Sequence, residues 1–401
     1  MRLLYVHESL GNQGGAEANV FQSATALQAR GHEVALVAQK RTGKSEAEWS
    51  KLFDAHLHFT PSPHEWQKLL QEFRPDAIYM HKWEDLDSIE LLLQSNRPLL
   101  RMVHDHDLYC LRSYKYNPLT RRICTRPATG YCVFPCLAPL KRHRGGKLPF
   151  RVVSYADKKR EIELNRRFDG CLVAGEYMKR ELLINGFQPE RIHLLPPVPP
   201  SIEPLQSNFG PRNLLLFTGQ IIRGKGVDVL LHALKQVKEP FEAVLCGDGS
   251  HRAFCEKLSK RLNLDKKVKF AGFISQKELR HHYQEATILL VSSVWPEPFG
   301  MIGVEAMRYA IPVIAFDAGG IGDWLKDGDN GFLVPWMDTT AYARKIEQLL
   351  RNKNLARAMG QRGLERARRD YDFDRYISNL ENLLIETSRA SRAKNERTVA
   401  G

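Results

Sequence analysis

The chain has 401 residues, 43% of them hydrophobic and 26% charged, with a formal net charge of +13. These values are ordinary for a soluble globular protein of two or three domains, each able to bury its own core, and the positive excess directs attention to anionic partners. No run of 18 apolar residues occurs, so no transmembrane helix is expected. The opening MRLLYVHESLG carries Glu8 and too short an apolar core for a signal peptide.

RLLYVHE (2–8) reads as an apolar strand, followed by a glycine-bearing loop from Gly11 to Gly15. The stretch 16–31 then carries Val20, Phe21, Ala24 and Leu27 at helical spacing and stops at Gly31. HEVALVAQK (32–40) follows as a strand, and strand–helix–strand implies a parallel sheet. DAIYMHK (76–82), LLRMVHD (99–105) and GCLVAGE (170–176) are further strands, each ending in polar residues. The segment 193–213 is dense in proline and reads as a semi-rigid spacer, with the interdomain linker at 196–212. NLLLFTGQ (213–220) opens a second half of the same grammar. A glycine-rich loop follows, then the helix VDVLLHALKQV, then strands in EAVLCGDGS, VKFAGF, ATILLVSSVW and IPVIAFDAGG. After Trp336 the helices are amphipathic, with Tyr342, Ile346, Leu349 and Leu350 on one face, and 371–386 is amphipathic too. Both halves read as doubly wound α/β domains: 1–195, with a cysteine-rich insert at 106–147, and 213–370. The final stretch 371–401 is expected to supply a helix that crosses back to the first domain, then a tail.

The most telling string is EPFGMIGVE (297–305). Pro296 and Pro298 end the preceding strand, Gly300 frees the backbone for a turn, and helix begins at Met301. Glu297 therefore stands at a strand's carboxyl end and Glu305 two turns into the helix, in the crevice where open α/β sheets bind ligands. The amides of Phe299, Gly300 and Met301 point out of a helix N-terminus and favour an anion. Two acceptors beside an anion cradle suit a polyhydroxylated, phosphorylated ligand. The whole string, EPFGMIGVEAMRYAIPVIAFDAGG, resembles the E-x7-E signature of the family-4 retaining glycosyltransferases (group 1 type), which have the GT-B architecture. Arg308 and Ala310 replace the small residues usual there, away from the carboxylates.

That resemblance covers essentially the whole chain and implies a GT-B fold, two Rossmann-like domains facing across a cleft. It implies a retaining transfer from a nucleotide diphosphate sugar without a catalytic metal. Glu297 would hold the sugar's hydroxyls and Glu305 the ribose diol. In GQIIRGKG (219–226), Gly219 permits close approach and Lys225 meets the diphosphate. Gln220 stands where the family has Arg, and Arg223 is the substitute cation. Gly247 in CGDGS lies beside the donor, and Phe273 and Ile274 line the nucleobase pocket. In the first half Gly14 and Gly15 match the family's Gly-Gly loop. His104-Asp105 matches the His-Asp pair beside the reacting sugar; His106-Asp107 is an equal candidate from sequence. An epimerase or a non-catalytic sugar-nucleotide-binding module would use the same scaffold.

Cys110, Cys124, Cys132 and Cys136 cluster in one loop-like stretch. In a chain of seven cysteines without an export signal, which implies a reducing cytosol, they form a candidate structural zinc site; buried thiols or a redox disulfide are the alternatives. Basic clusters at Lys141-Arg142-His143-Arg144, Lys158-Lys159-Arg160 and beyond Arg351 suit a solvated surface or an anionic membrane leaflet. No nucleic-acid module is present in the sequence. The acceptor is expected to be a glycan or lipid-linked molecule of envelope polysaccharide synthesis, met in the cytoplasm at the inner membrane face.

Overall fold

The computed structural model describes residues 1–12, 14–53, 57–59, 61–142, 150–200, 207 and 212–400. Of the linker expected at 196–212, residues 201–206 and 208–211 lie outside the described residues, as do 143–149 of the cysteine-rich insert and Gln13 of the first glycine loop. The chain forms two compact units. The first comprises 1–114, 126–200 and 373–401; the second comprises 115–125 and 201–372.

The first unit is built on a parallel sheet of seven strands. Their spatial order is Ile192–Leu194, Gly170–Val173, Leu99–Val103, Ala77–Met80, Arg2–Val6, Glu33–Ala38, Leu57–Phe59. Beyond the charged residues that begin two of them, the inner strands are apolar except for buried Arg101, which donates to Asn165 Oδ1 at 2.8 Å; helices cover both faces, so each strand buries both of its sides. Leu4, Val6, Ile78 and Met80 pack with Trp66 and Trp83 on one side of the core. Two strands, Leu57–Phe59 and Ile192–Leu194, were not expected; each is a three-residue edge strand, and the second occupies the start of the proline-dense segment. The final helix, Phe373–Ala400, belongs to this unit: Asn19 Nδ2 donates to Tyr376 Oη at 2.7 Å, and Arg30 pairs with Glu381 at 2.8 Å.

The second unit has a parallel sheet of six strands. Their order is Val268–Gly272, Glu242–Cys246, Leu214–Thr218, Ile288–Val291, Val313–Phe316, Gly331–Val334. Tyr342, Ile346, Leu349 and Leu350 of helix Thr339–Arg351 are buried in its core, as their spacing predicts. Ala310, where the family has glycine, adopts φ +54°, a left-handed posture that disfavours a Cβ.

Each sheet reverses its winding once. In the first, the reversal lies between Arg2–Val6 and Ala77–Met80; in the second, between Leu214–Thr218 and Ile288–Val291. At such a point the loops after neighbouring strands part in opposite directions and leave a crevice at the strands' carboxyl ends. The loops that follow those strands carry His7, Glu8, His81 and Lys82 in one unit and Gly219, Ser292 and Ser293 in the other.

Candidate functional site

In the second unit the loop after Leu214–Thr218 is fastened to the segment that follows Ile288–Val291. Val294 N and Trp295 N both donate to Gly224 O, at 2.8 and 3.1 Å, and Ser292 Oγ donates to Lys225 O at 2.8 Å. Gly226 takes φ +66°, and a Cβ there would sit 2.1 Å from Ser292 O, so only glycine fits. The approach delivers Lys225 to Glu297: Nζ to Oε1 is 2.6 Å. Trp295 Nε1 donates to the same oxygen at 2.9 Å, and Ser293 Oγ also donates to it. Glu297 is 4% exposed. Burial pushes its carboxyl up, but Lys225 and the hydrogen bonds outweigh burial and hold it below the usual carboxylate range.

The backbone of Glu297 is clamped from the other side, its N donating to Ala318 O at 3.1 Å and its O accepting from Gly320 N at 2.7 Å. Gly300, at φ +86°, caps helix Met301–Arg308, and Phe299 O accepts from Trp324 Nε1 at 2.6 Å. Glu305 is the fifth residue of that helix, which begins at Met301 as expected, so it stands little more than one turn in rather than two. Tyr283 Oη donates to its Oε2 at 3.1 Å and sits 3.2 Å from Thr218 Oγ1. Burial pushes the Glu305 carboxyl up despite Tyr283 and the nearby charge of Arg308. Arg308, read from sequence as remote from the carboxylates, is therefore within the field of one.

Of the other expected donor-side residues, Gly219 and Gly247 come together: Gly219 N donates to Cys246 O at 3.0 Å, and a Cβ on Gly247 would lie 1.9 Å from Gly219 O. Arg223 stands exposed on the turn Arg223–Lys225, its charge felt by His251. Ile274 lines an open cavity of about 1000 Å³ with Lys269, Arg280 and His282, and Phe273 beside it is 88% exposed.

Sequence reasoning missed Ser293, Trp295, Tyr283 and Thr218, although strand-end polar residues at a winding reversal were a usable signal. It also missed Arg121. This residue of the cysteine-rich stretch belongs to the second unit and grips Asp228 through both terminal guanidinium nitrogens, at 3.2 and 2.6 Å. Asp228 lies in the first turn of helix Val227–Gln236, immediately after the Lys225 turn. Such a forked pair fixes orientation as well as charge.

In the first unit Gly14 caps helix Gly15–Ala29, and a Cβ at Gly15 would meet open space. Glu17 in that helix's first turn stands 3.4 Å from His7 Nε2; burial raises its carboxyl, yet His7 brings it down to about 2. His81 Nδ1 and His104 Nε2 are 2.8 Å apart, with rings stacked at 5.1 Å. Lys82 Nζ pairs with Asp105 at 2.5 Å and Asp107 at 3.8 Å. His106 is fully buried against Tyr109 and Tyr177, which makes it a core residue, whereas His104 is half-buried at a strand's carboxyl end. A charged cavity of about 530 Å³ opens beside Lys82, Asp105 and Asp107.

One hydrogen serves the His81–His104 contact, so the accepting ring must be neutral. Burial, with neighbouring histidines and Lys82, holds His104 down to about 3 and His81 well below its usual value of 6.5. A base whose folded pKa is depressed binds fewer protons folded than unfolded. Its stability contribution is full above 6.5 and is lost as pH falls from 6.5 toward about 3. His104→Gln, which does not titrate, is expected to lose less stability over that window than the wild type in urea unfolding. Equal losses would show that this imidazole is not responsible.

The structure does not gather the four cysteines expected to hold zinc into one cluster. Among the described residues no three His, Cys, Asp or Glu side chains are grouped to hold a metal ion. Cys110, Cys124, Cys132 and Cys136 are free thiols, and Cys124 belongs to the second unit with Arg121, whereas the other three belong to the first.

Residues 13–198 match the family model described as Glycosyltransferase Family 4, and residues 203–366 match Glycosyl transferases group 1. An uncharacterized glycosyltransferase of Methanocaldococcus jannaschii is 31% identical over 181 residues, 45% of this chain and 50% of that protein. D-inositol 3-phosphate glycosyltransferase of Streptomyces bingchenggensis is 30% identical over 189 residues, 44% of this chain and 41% of that protein. The chain thus spans half or less of the length of these curated relatives. Among solved structures, HepE of Anabaena in complex with UDP superposes with a TM-score of 0.75 at 18% identity, covering 96% of this chain and 100% of that one. The lipopolysaccharide outer core galactosyltransferase WaaB gives 0.70 at 16% identity, over 96% and 99%. The fold is GT-B.

Proposed function

The chain belongs to the family-4, group 1 glycosyltransferases, and on that premise we propose that it moves a sugar from a nucleotide diphosphate sugar to a hydroxyl of a glycan or lipid-linked acceptor, with retention, in cell-envelope polysaccharide synthesis. The observation that carries the reading is the buried Lys225–Glu297 pair at the second sheet's winding reversal. An ammonium has three hydrogens, so Lys225 can hold Glu297 and a phosphate oxygen together. As the anomeric carbon–oxygen bond breaks, charge grows on the departing diphosphate. Lys225, Arg223 and the amides of Phe299, Gly300 and Met301 are the groups that would stabilise it. The acceptor oxygen bonds to the same face of that carbon and its proton passes to the departing phosphate oxygen. Glu297 orients the sugar hydroxyls, and Glu305, held by Tyr283, takes the ribose diol. Gly219, Gly247, Phe273 and Ile274 complete the donor side; Gly14, Gly15 and His104 are the acceptor-side groups, His104 acting as a neutral imidazole. HepE, a structural neighbour, was solved with UDP-glucose, which supports a nucleotide sugar as co-substrate. The reading includes work in the cytoplasm at an anionic membrane face, to which a net charge of +13 is attracted.

The test is a thermal-shift screen of nucleotide sugars followed by transfer assays on glycan and lipid-linked acceptors, with product anomers read by NMR. An inverted product, or donor epimerised without acceptor, would defeat the retaining transfer. Within this reading Arg121 braces the Lys225 turn through Asp228. Arg121→Ala is expected to raise the donor KM about tenfold, to leave the acceptor KM unchanged, and to add little to Lys225→Ala. Full additivity of the two variants would show that Arg121 acts elsewhere.

A further inference from the structure

Exposed apolar side chains are unevenly spread over this protein. Among the described residues twelve large ones are exposed, and six of these, Tyr131, Val133, Phe134, Leu137, Leu140 and Val152, fall within one short stretch of the first unit. Phe134 is 76% exposed and Val152 73%. The backbone gathers them. Phe134 N donates to Gly130 O at 3.1 Å, Leu137 N to Val133 O at 3.2 Å and Ala138 N to Cys132 O at 2.9 Å, coiling 130–138 tightly. An antiparallel ladder then sets Leu140 opposite Val152.

The charge of the same stretch is one-sided. From Arg126 to Ala156 the sequence has Arg126, Lys141, Arg142, Arg144, Lys147 and Arg151 and no Asp or Glu. Clustered apolar exposure needs a covering surface, and the cations select its chemistry. A second copy of this chain would bring the same positive charge against itself, and like charges face to face oppose association. An anionic bilayer offers both complements, lipid phosphates for the cations and an acyl boundary for the rings and branched chains.

We propose that Tyr131–Leu140, with Val152, is the surface by which this protein rests on an anionic phospholipid bilayer. The proposal deepens the membrane part of the reading above and stands apart from the transfer chemistry. Phe134 and Leu137 enter the headgroup–acyl boundary, and the positive charge of the stretch draws it to lipid phosphates, each cation near the surface adding about fivefold to affinity at low salt.

The experiment is co-sedimentation of the full chain with vesicles of phosphatidylcholine alone and of phosphatidylcholine and phosphatidylglycerol in equal parts. Binding is expected only to the anionic vesicles and is expected to weaken with salt. Phe134→Asp with Leu137→Asp is expected to lower that binding at least about tenfold, with transfer to a soluble acceptor and the melting temperature unchanged. Phe134→Trp is expected to shift its emission to the blue on anionic vesicles, which reports contact even if the double variant folds poorly. Absence of binding, equal binding by the double variant, or binding without the emission shift would each overturn the proposal. So would a dimer that the double variant abolishes in the absence of vesicle binding. Vesicle binding without transfer on any acceptor would instead defeat the functional reading and leave this one standing.

Discussion

Glu297→Gln is expected to lower the transfer rate at saturating donor by about a hundredfold to a thousandfold. The carboxylate gathers Lys225 Nζ at 2.6 Å, Trp295 Nε1 at 2.9 Å and Ser293 Oγ on its Oε1. Oε2 is then the oxygen offered to the sugar. Glutamine preserves the shape and one acceptor but removes the charge. Lys225, only 19% exposed along its side chain, would be left without its anion. Such a charge is driven to reorient toward water and away from the diphosphate. The amide would also present hydrogens where sugar hydroxyls need acceptors. Because Lys225 and the hydrogen bonds depress the carboxyl's pKa, the pair is intact above the ordinary carboxylate range and is lost only as pH falls through the lowered value. Wild-type activity should therefore be insensitive to this group near neutrality. Initial rates, with donor affinity and melting temperature measured in parallel, separate lost chemistry from lost folding. A fall of less than about tenfold at saturating donor would remove Glu297 from its assigned role.

What was legible in the sequence follows from burial. Strands such as Leu214–Thr218 and Val313–Phe316 are buried along their whole length, and a doubly covered strand must be an apolar run. Leu57–Phe59 is half-buried to exposed, and Ile192–Leu194 sits against prolines; neither left a periodic trace. Helix Pro63–Phe73 did leave one, a capping box between Ser62 and Glu65 with proline at its start, which went unused. In the site, Glu297 and Lys225 were legible because each lies in a local turn with its own glycine and proline grammar. Arg121 and Asp228 are 107 positions apart, and His81 and His104 meet only through neighbouring strands. No local pattern encodes a partner set by the tertiary fold. The four cysteines, close in sequence, are likewise assigned to two units.

Gly303→Ala is the second substitution expected to act strongly, and it tests how the helix beside Glu297 is held. In an exposed helix, alanine for glycine is favourable by about 1 kcal/mol. Here a Cβ would stand 2.0 Å from one ring carbon of Trp324 and 2.4 Å from two others. Trp324 is fully buried, and its Nε1 donates to Phe299 O at 2.6 Å, two residues beyond Glu297. In a close-packed interior such a ring retreats only by displacing its neighbours. Overpacking costs about 1–3 kcal/mol and the loosened hydrogen bond about 1 more, so a net loss of about 2 kcal/mol remains after the helix gain. The turn that presents the amides of Phe299 to Met301 rests on that indole, so transfer should fall together with stability. Trp324→Phe opens space but forfeits the hydrogen bond. The double variant is therefore expected to regain part of the melting temperature lost by Gly303→Ala and little of the activity. Wild-type stability in Gly303→Ala alone would show that the close helix–indole approach is not what fixes the EPFG turn, and that its anchoring rests on Ala318 and Gly320 instead.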